Sequence, residues 1–304
     1  ATGRDTGDNF HMIYKIRHIT EYKYLSPVSL CYNQAHLLPR DTLEQQCAPS
    51  NVVITPKPNY VAQHSDYFGN HYVYFSLQKP HTKLVIDVTT EINSQNERAA
   101  YALELGISCK AAREMLLYNQ DPDTIQAKEY ILASPMIRPN AQLKAYAEAL
   151  FQDDVPLLSA ARTLTTKIFT EFKYDPSSTT VATPLGEVLE RKSGVCQDFA
   201  HIAIGCLRAL GYPARYVSGY LETLPPPGQE KLVGADASHA WFAVYSPGEG
   251  WFEFDPTNDD IPKEQHITTA WGRDYSDVTP LRGVIFDGGN SHELRVSVDV
   301  RRLG

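Results

Sequence analysis

Several features are missing from this chain, and each absence removes a class of protein. No apolar run approaches the roughly 20 residues that a membrane-crossing helix requires. No basic cluster occurs anywhere, and Lys and Arg number 28 against 36 Asp and Glu, a net charge of −8. Nucleic acid and an anionic membrane surface are therefore not expected partners. The five cysteines (Cys31, Cys47, Cys109, Cys196, Cys206) form no Cys-x-x-Cys pair, and an odd, scattered set is no disulfide framework. With no N-x-S/T glycosylation signal either, the expected compartment is the reducing cytoplasm. H-E-x-x-H, G-x-x-x-x-G-K-S/T, G-x-G-x-x-G and G-x-S-x-G are all absent. Gly288-Gly289 precedes a strand pattern rather than a helix, so it is no phosphate loop. No run of carboxylates has calcium-loop spacing. No metal or other cofactor is expected.

What is present is globular. The 304 residues are 42% hydrophobic, 21% charged and 11% aromatic, and their number suggests two domains. Residues 1–11 are polar and read as a leader or disordered segment outside the fold. Residues 12–97 carry short β-rich runs (YKIRHITEYKY, NVVITP, HYVYFSL, KLVIDVTTEI) separated by Pro, Asn and Gly. They predict an antiparallel N-terminal β-domain. From 98 onward the pattern turns helical through AAREMLLYNQ, DTIQAKEYILAS, NAQLKAYAEALF and PLLSAARTLTTKIFTEF, with Asn140 as an N-cap. In VCQDFAHIAIGCLRALG, residues Phe199, Ile202, Ala203, Cys206, Leu207 and Leu210 form one face of a buried helix, which Gly211 is placed to end. Strands follow in ARYVSGYLE, HAWFAVYS and WFEFDP, and later in GVIFDGG and HELRVSVDVRR. The expected fold class is α+β, with residues 98–304 forming one catalytic unit that includes the late strands.

Three stretches concentrate chemistry: SGVCQDFAH, ASHAWFAVY and WFEFDPTN. Cys196 falls in the first turn of its helix, where unpaired N–H groups and the positive dipole end favour a thiolate. His239 and Asp255 lie on successive strands. A five-residue turn over 246–250 pairs Tyr245 with Trp251, and then 239 and 255 share a sheet face. A four-residue turn would put them on opposite faces. In the first register, Asp255 orients the imidazole and His239 takes the thiol proton.

These motifs, in this order and over roughly 160–260, resemble the transglutaminase-like superfamily of papain-type thiol enzymes. MIYKIRHITEYKYLSPVSLCYNQAHLLPR resembles the β-rich N-terminal domain of its bacterial members, and FDGGNSHELRVSVDV their C-terminal strand pair. The resemblance implies a helix bearing Cys packed on an antiparallel sheet. It implies Cys196 as nucleophile, His239 as acid/base and Asp255 as orienting carboxylate. Tyr174, upstream in EFKYDPSST, is the candidate second oxyanion donor, beside the Cys196 N–H.

The plainer readings stand beside these. Cys206 lies on the apolar helix face and reads as core. Cys31, Cys47 and Cys109 show no His or Asp context. His201 is off the Cys196 line and reads as structural or pocket-edge. Asp198 and Asp236 are candidate substrate contacts, although an acid at a helix start often serves only the dipole. Trp241 shares a strand face with His239 and either walls the cleft or is core. The Pro-rich loop 222–236 is expected to border the site. The expected function is thiol-dependent hydrolysis of a peptide or protein amide. The alternatives are acyl transfer to an amine by the same acyl-enzyme, and a non-catalytic binding protein on the same fold.

Overall fold

The computed structural model describes residues 11–95, 102–223, 237–289 and 292–303. The expected leader, Asp236 and most of the 222–236 loop lie outside these residues. The first sheet opens with β1 (His11–Ala35), β2 (Gln45–Cys47), β3 (Asn51–Thr55), β4 (Tyr60–Ser65), β5 (His71–Leu77) and β6 (His81–Gln95). Helices α1 (Cys109–Tyr118), α2 (Pro122–Lys128), α3 (Ala141–Ala147) and α4 (Leu157–Glu171) follow. Next come β7 (Lys173–Tyr174), α5 (Leu185–Arg191), β8 (Ser193–Gly194) and α6 (Cys196–Ala209). Strands β9 (Ala214–Leu221), β10 (Ala237–Ser246), β11 (Gly250–Phe254) and β12 (His266–Gly272) make a second sheet, ordered β11-β10-β9-β12. The last elements are β13 (Leu281–Asp287) and β14 (His292–Arg302). The α+β class expected from the sequence is what the chain adopts.

The local signals explain the helices. Asn140 Oδ1 accepts from the Leu143 N–H at 3.0 Å, the predicted cap. Pro122 sits in the first turn of α2, where its missing N–H costs nothing, and Asp121 caps the Thr124 N–H at 3.0 Å. The apolar face of α6 (Phe199, Ile202, Ala203, Cys206, Leu207) is wholly buried and packs against β9 and β10. Gly211 follows the helix with φ +86°, the left-handed conformation that glycine adopts without strain.

The late strands correct one expectation. They do not join the second sheet but return to the first, where β14 pairs with Tyr14–Tyr24 of β1 and β13 with Val28–Ala35. On its other edge β1 pairs with β6 and then β5. Both ladders break around Pro27, which has no N–H to offer either neighbour. An antiparallel strand can pair with any available edge. The alternation of HELRVSVDV specifies a half-buried strand, not its partner.

The two sheets are joined by an apolar layer. Tyr14 and Ile16 of β1, with Val298 and Val300 of β14, pack on Tyr220 and Ile267 of the second sheet. His18 ties the layer down: its Nδ1 lies 2.9 Å from the Tyr220 hydroxyl and its Nε2 2.9 Å from Thr20 Oγ1. Burial pushes its pKa down to about 4, so it stays neutral at this seam.

Candidate active site

Cys196 is the first residue of α6, directly after the short parallel pairing of β7 with β8. The cap of this helix is supplied from within. Asp198 Oδ2 accepts from the Val195 N–H at 2.9 Å and from Thr179 Oγ1 at 2.7 Å. Asp198 is 3% exposed. Oδ2 thus fixes the helix start that carries Cys196.

The register of β10 and β11 is the favourable one. Tyr245 faces Trp251 and Phe242 faces Phe254, so His239 and Asp255 point to the same side. His239 Nε2 lies 2.7 Å from Asp255 Oδ2, and the ring shares one cavity with Cys196. With Nε2 committed to the carboxylate, Nδ1 is left for the sulfur. Asp255 is fully buried and well supplied with donors. Its Oδ1 accepts from the Thr257 and Asn258 N–H groups at 2.9 and 3.3 Å. Its Oδ2 accepts from Asn258 Nδ2 at 2.7 Å and His266 Nε2 at 3.1 Å, besides His239. Burial opposes ionisation of Asp255, but the His239, His266 and Asn258 donors outweigh it and hold the carboxyl far below its usual range. Burial likewise opposes charge on His239. The hydrogen bonds to Asp255 and Cys196 overcome it and raise His239 to about 10.

His266 is a residue that the motifs did not announce. Its Nδ1 accepts from the Lys263 N–H at 3.3 Å, which leaves the ring proton on Nε2, aimed at Asp255. The nearest ligand atoms of His239, Asp255 and His266 lie within 4.8 Å of one another, a donor set that a divalent cation could use. The contacts among these atoms are those of a hydrogen-bonded hub, with one carboxylate oxygen receiving both rings.

Of the two readings of Trp241, cleft wall or core, the structure shows core packing. It is wholly buried, and its Nε1 donates to Glu253 Oε2 at 2.8 Å. Its ring lies 6.0 Å from that of His239 and 5.3 Å, edge-on, from that of His266. It props both histidines from behind. The space for it comes from Gly219, which pairs with His239 across β9 and β10. A Cβ there would meet the Ile267 carbonyl oxygen at 2.1 Å and the Trp241 ring at 2.6 Å. Tyr174 pairs with Gly194, two residues before Cys196; it is 53% exposed, edge-on to Phe199. Burial, then the Cys196 charge, raises its hydroxyl pKa. His201 is structural, as expected. Its Nε2 accepts from the Tyr275 N–H at 3.2 Å, and burial pushes its pKa to about 4.

The other described cysteines are unsuited to attack. Cys206 is core, and burial pushes its thiol far up. Cys31 Sγ lies 3.9 Å from His81 Nε2, a neighbour its local sequence gives no sign of, yet it is wholly buried and its thiol is raised by burial. Burial raises Cys47 to about 12 and also pushes the Cys109 thiol up. All five thiols are free.

Cys196 and His239 open onto a cavity of about 480 Å³ whose opposite wall is the β1–β14 ribbon of the first sheet. No helix among the described residues is long and apolar enough to cross a membrane.

A helix that begins with cysteine, set against an antiparallel sheet that presents histidine and aspartate, is the arrangement of papain-type thiol enzymes. Comparison with known proteins agrees. Residues 14–93 match the bacterial transglutaminase-like N-terminal region, and residues 144–256 match the transglutaminase-like superfamily. This chain belongs to the transglutaminase-like superfamily. An uncharacterised protein of Mycobacterium tuberculosis is 38% identical over 293 residues, covering 94% of this chain and 92% of its own. A protein-glutamine gamma-glutamyltransferase of Pseudomonas aeruginosa is 30% identical over 158 residues, 47% of this chain and 23% of that protein. A crystal structure of a candidate cysteine protease from Cytophaga hutchinsonii has a TM-score of 0.74 at 23% identity, covering 97% of this chain and 93% of that one. It shares the fold.

Proposed function

We propose that the protein is a thiol-dependent amide hydrolase acting through Cys196, His239 and Asp255. The observation that carries this reading is the His239 ring, bonded to Asp255 at 2.7 Å and facing one cavity together with Cys196 at the start of α6. The Cys196 thiolate attacks the amide carbonyl, forming the S–C bond and placing charge on the carbonyl oxygen. The Cys196 N–H, a first-turn donor without a helical partner, and the Tyr174 hydroxyl are the candidate donors to that oxygen. Protonated His239 gives its proton to the leaving amine as the C–N bond breaks. The neutral ring then takes a proton from water, which attacks the thioester and releases the acid and the thiolate. Asp255 holds the ring and favours its charged form. The substrate is a peptide, isopeptide or glutamine-type amide of a protein, and the five free thiols fit a reducing cytoplasm.

A second reading keeps the acyl-enzyme but resolves it with an amine. Similarity to the Pseudomonas aeruginosa glutamyltransferase favours it. The two are separated by offering a glutamine peptide with and without a primary amine. Release of acid with no amine incorporated supports hydrolysis; efficient incorporation supports transfer. Cys196→Ala abolishes both, and an active Cys196→Ala enzyme overturns the acyl-enzyme itself.

A further inference from the structure

The cavity wall opposite Cys196 has a regular construction. On β1, His18, Thr20 and Tyr22 alternate with Ile19 and Glu21; on β14, Leu294, Val296 and Val298 alternate with Arg295 and Ser297. The register sets them in direct pairs: His18 with Val298, Thr20 with Val296, and Tyr22 with Leu294. All six therefore lie on one face of the ribbon, and all six line the cavity of Cys196 and His239. Toward the seam the same face continues as Ile16 and Val300 and is buried against the second sheet. Toward the opening it emerges uncovered: Leu294 is 49% exposed and Val296 51%. Near the cavity the charged residues of these strands (Arg17, Glu21, Lys23, Glu293, Arg295) occupy the opposite face, while Arg302, on the cavity's face, lies at the far end of the ribbon, paired with Glu222 at 2.8 Å. Among the described residues, no Asp, Glu, Lys or Arg lines the cavity, in a chain that has 64 of them (36 acidic and 28 basic). A charged side chain entering it would lose hydration and, away from Cys196 and His239, meet no opposite charge among the described lining residues.

We propose that this ribbon face is the side-chain subsite of the enzyme, and that it selects an uncharged apolar side chain beside the attacked carbonyl. Leu294 and Val296 are its floor, and Tyr22 closes one end. The occupant follows from continuity with Cys196 and His239, so the inference rests on the proposed amide hydrolase. It assigns the first domain a role in choosing the substrate.

The test uses acetyl-X chloromethyl ketones with X = Leu, Lys or Glu, and iodoacetamide as a reagent without a side chain. In each chloromethyl ketone the Cys196 thiolate forms an S–C bond and chloride leaves, so the rate reports how well X sits. Labelling is read by mass spectrometry on the whole protein. After division by its rate with a small unsubstituted chloromethyl ketone, the Leu reagent is expected to exceed Lys and Glu by at least tenfold. With each rate divided by the same variant's iodoacetamide rate, Val296→Asp is expected to raise the Lys reagent above the Glu reagent by about tenfold and to cut the Leu reagent. Leu294→Ser, at an exposed position, is expected to lower the Leu reagent relative to that variant's iodoacetamide rate. Fast iodoacetamide labelling with equal rates for all three side chains overturns the subsite. Slow iodoacetamide labelling of Cys196, no faster than the other thiols, overturns the amide-hydrolase reading instead.

Discussion

His266 Nε2 lies 3.1 Å from Asp255 Oδ2, the same oxygen that receives His239 at 2.7 Å. One buried carboxylate thus holds two rings, and the second ring is itself held by the Lys263 N–H. Replacing His266 removes one donor and lets Asp255 shift. His266→Phe is expected to cost about 1–3 kcal/mol of stability. It is also expected to slow turnover and Cys196 alkylation by about tenfold, equivalent to about 1.4 kcal/mol. Thermal melting and alkylation kinetics measure the two effects. An unchanged alkylation rate with a lowered Tm would reduce His266 to a packing role.

The raised pKa of His239 has a direct pH consequence. The folded state keeps the imidazole proton up to about 10, whereas the unfolded chain releases it near 6.5. Between these values the native state binds more protons than the unfolded state, so this contribution to stability is complete below 6.5 and is lost as pH rises through about 10. The alkaline limb of activity is expected near the same pH, because the leaving amine needs that proton. Asp255→Asn removes the main partner and is expected to move the limb down by several units toward 6.5. A pH–rate profile of wild type and variant decides it; a limb that stays in place detaches Asp255 from His239.

Gly219 is expected to be intolerant of the smallest side chain. A Cβ there meets backbone oxygen at 2.1 Å and the Trp241 ring at 2.6 Å, and neither can move without displacing β12 or the prop behind His239. Gly219→Ala is expected to cost about 3 kcal/mol, at the upper end of overpacking penalties, and to lower activity with it. Denaturant titration provides the measurement, and a variant as stable as wild type would contradict the close approach.

Asp198 separates capping from substrate contact. Asp198→Ala frees the Val195 N–H and Thr179, and is expected to cost about 1–2 kcal/mol as a lost cap. Alkylation of Cys196 is expected to slow for every reagent in equal proportion, since the helix start is loosened for all. Selective loss of one substrate side chain would instead mark Asp198 as a contact.

Local signals carried far into this structure, and non-local pairing is where they stopped. The spacing of Phe199, Ile202, Cys206 and Leu207 defines α6, and the turn at 246–250 defines the register that brings His239 and Asp255 to one side. Those features depend on neighbours within a few turns or one hairpin. The destination of β14 depends on an edge of β1 some 280 residues away by sequence (Tyr14 pairs with Arg302). The alternation in ELRVSV marks a one-sided strand without saying what lies across from it. Trp241 was legible as sharing a face with His239. That the face is sealed there follows from Gly219 and Ile267 on other strands. His266 carries no motif, because its role is set by a carboxylate on a different strand.

Tyr174 offers the last test. The β7–β8 pairing sets it beside Gly194, and its hydroxyl feels the Cys196 charge. If that hydroxyl donates to the developing oxyanion, its interaction exists in the transition state and not in the free thiolate. Tyr174→Phe should then lower kcat by about tenfold to a hundredfold, short of the 10²–10³ lost with a fully enclosed donor, because a half-exposed hydroxyl competes with water. The iodoacetamide rate should not change, since displacement of iodide builds no oxyanion. A drop in both rates would instead assign Tyr174 to packing around Phe199, where its ring lies edge-on at 6.3 Å. An unchanged kcat would leave the oxyanion to the Cys196 N–H and other donors. Turnover of an amide and alkylation of the same preparation, measured side by side, distinguish the three outcomes.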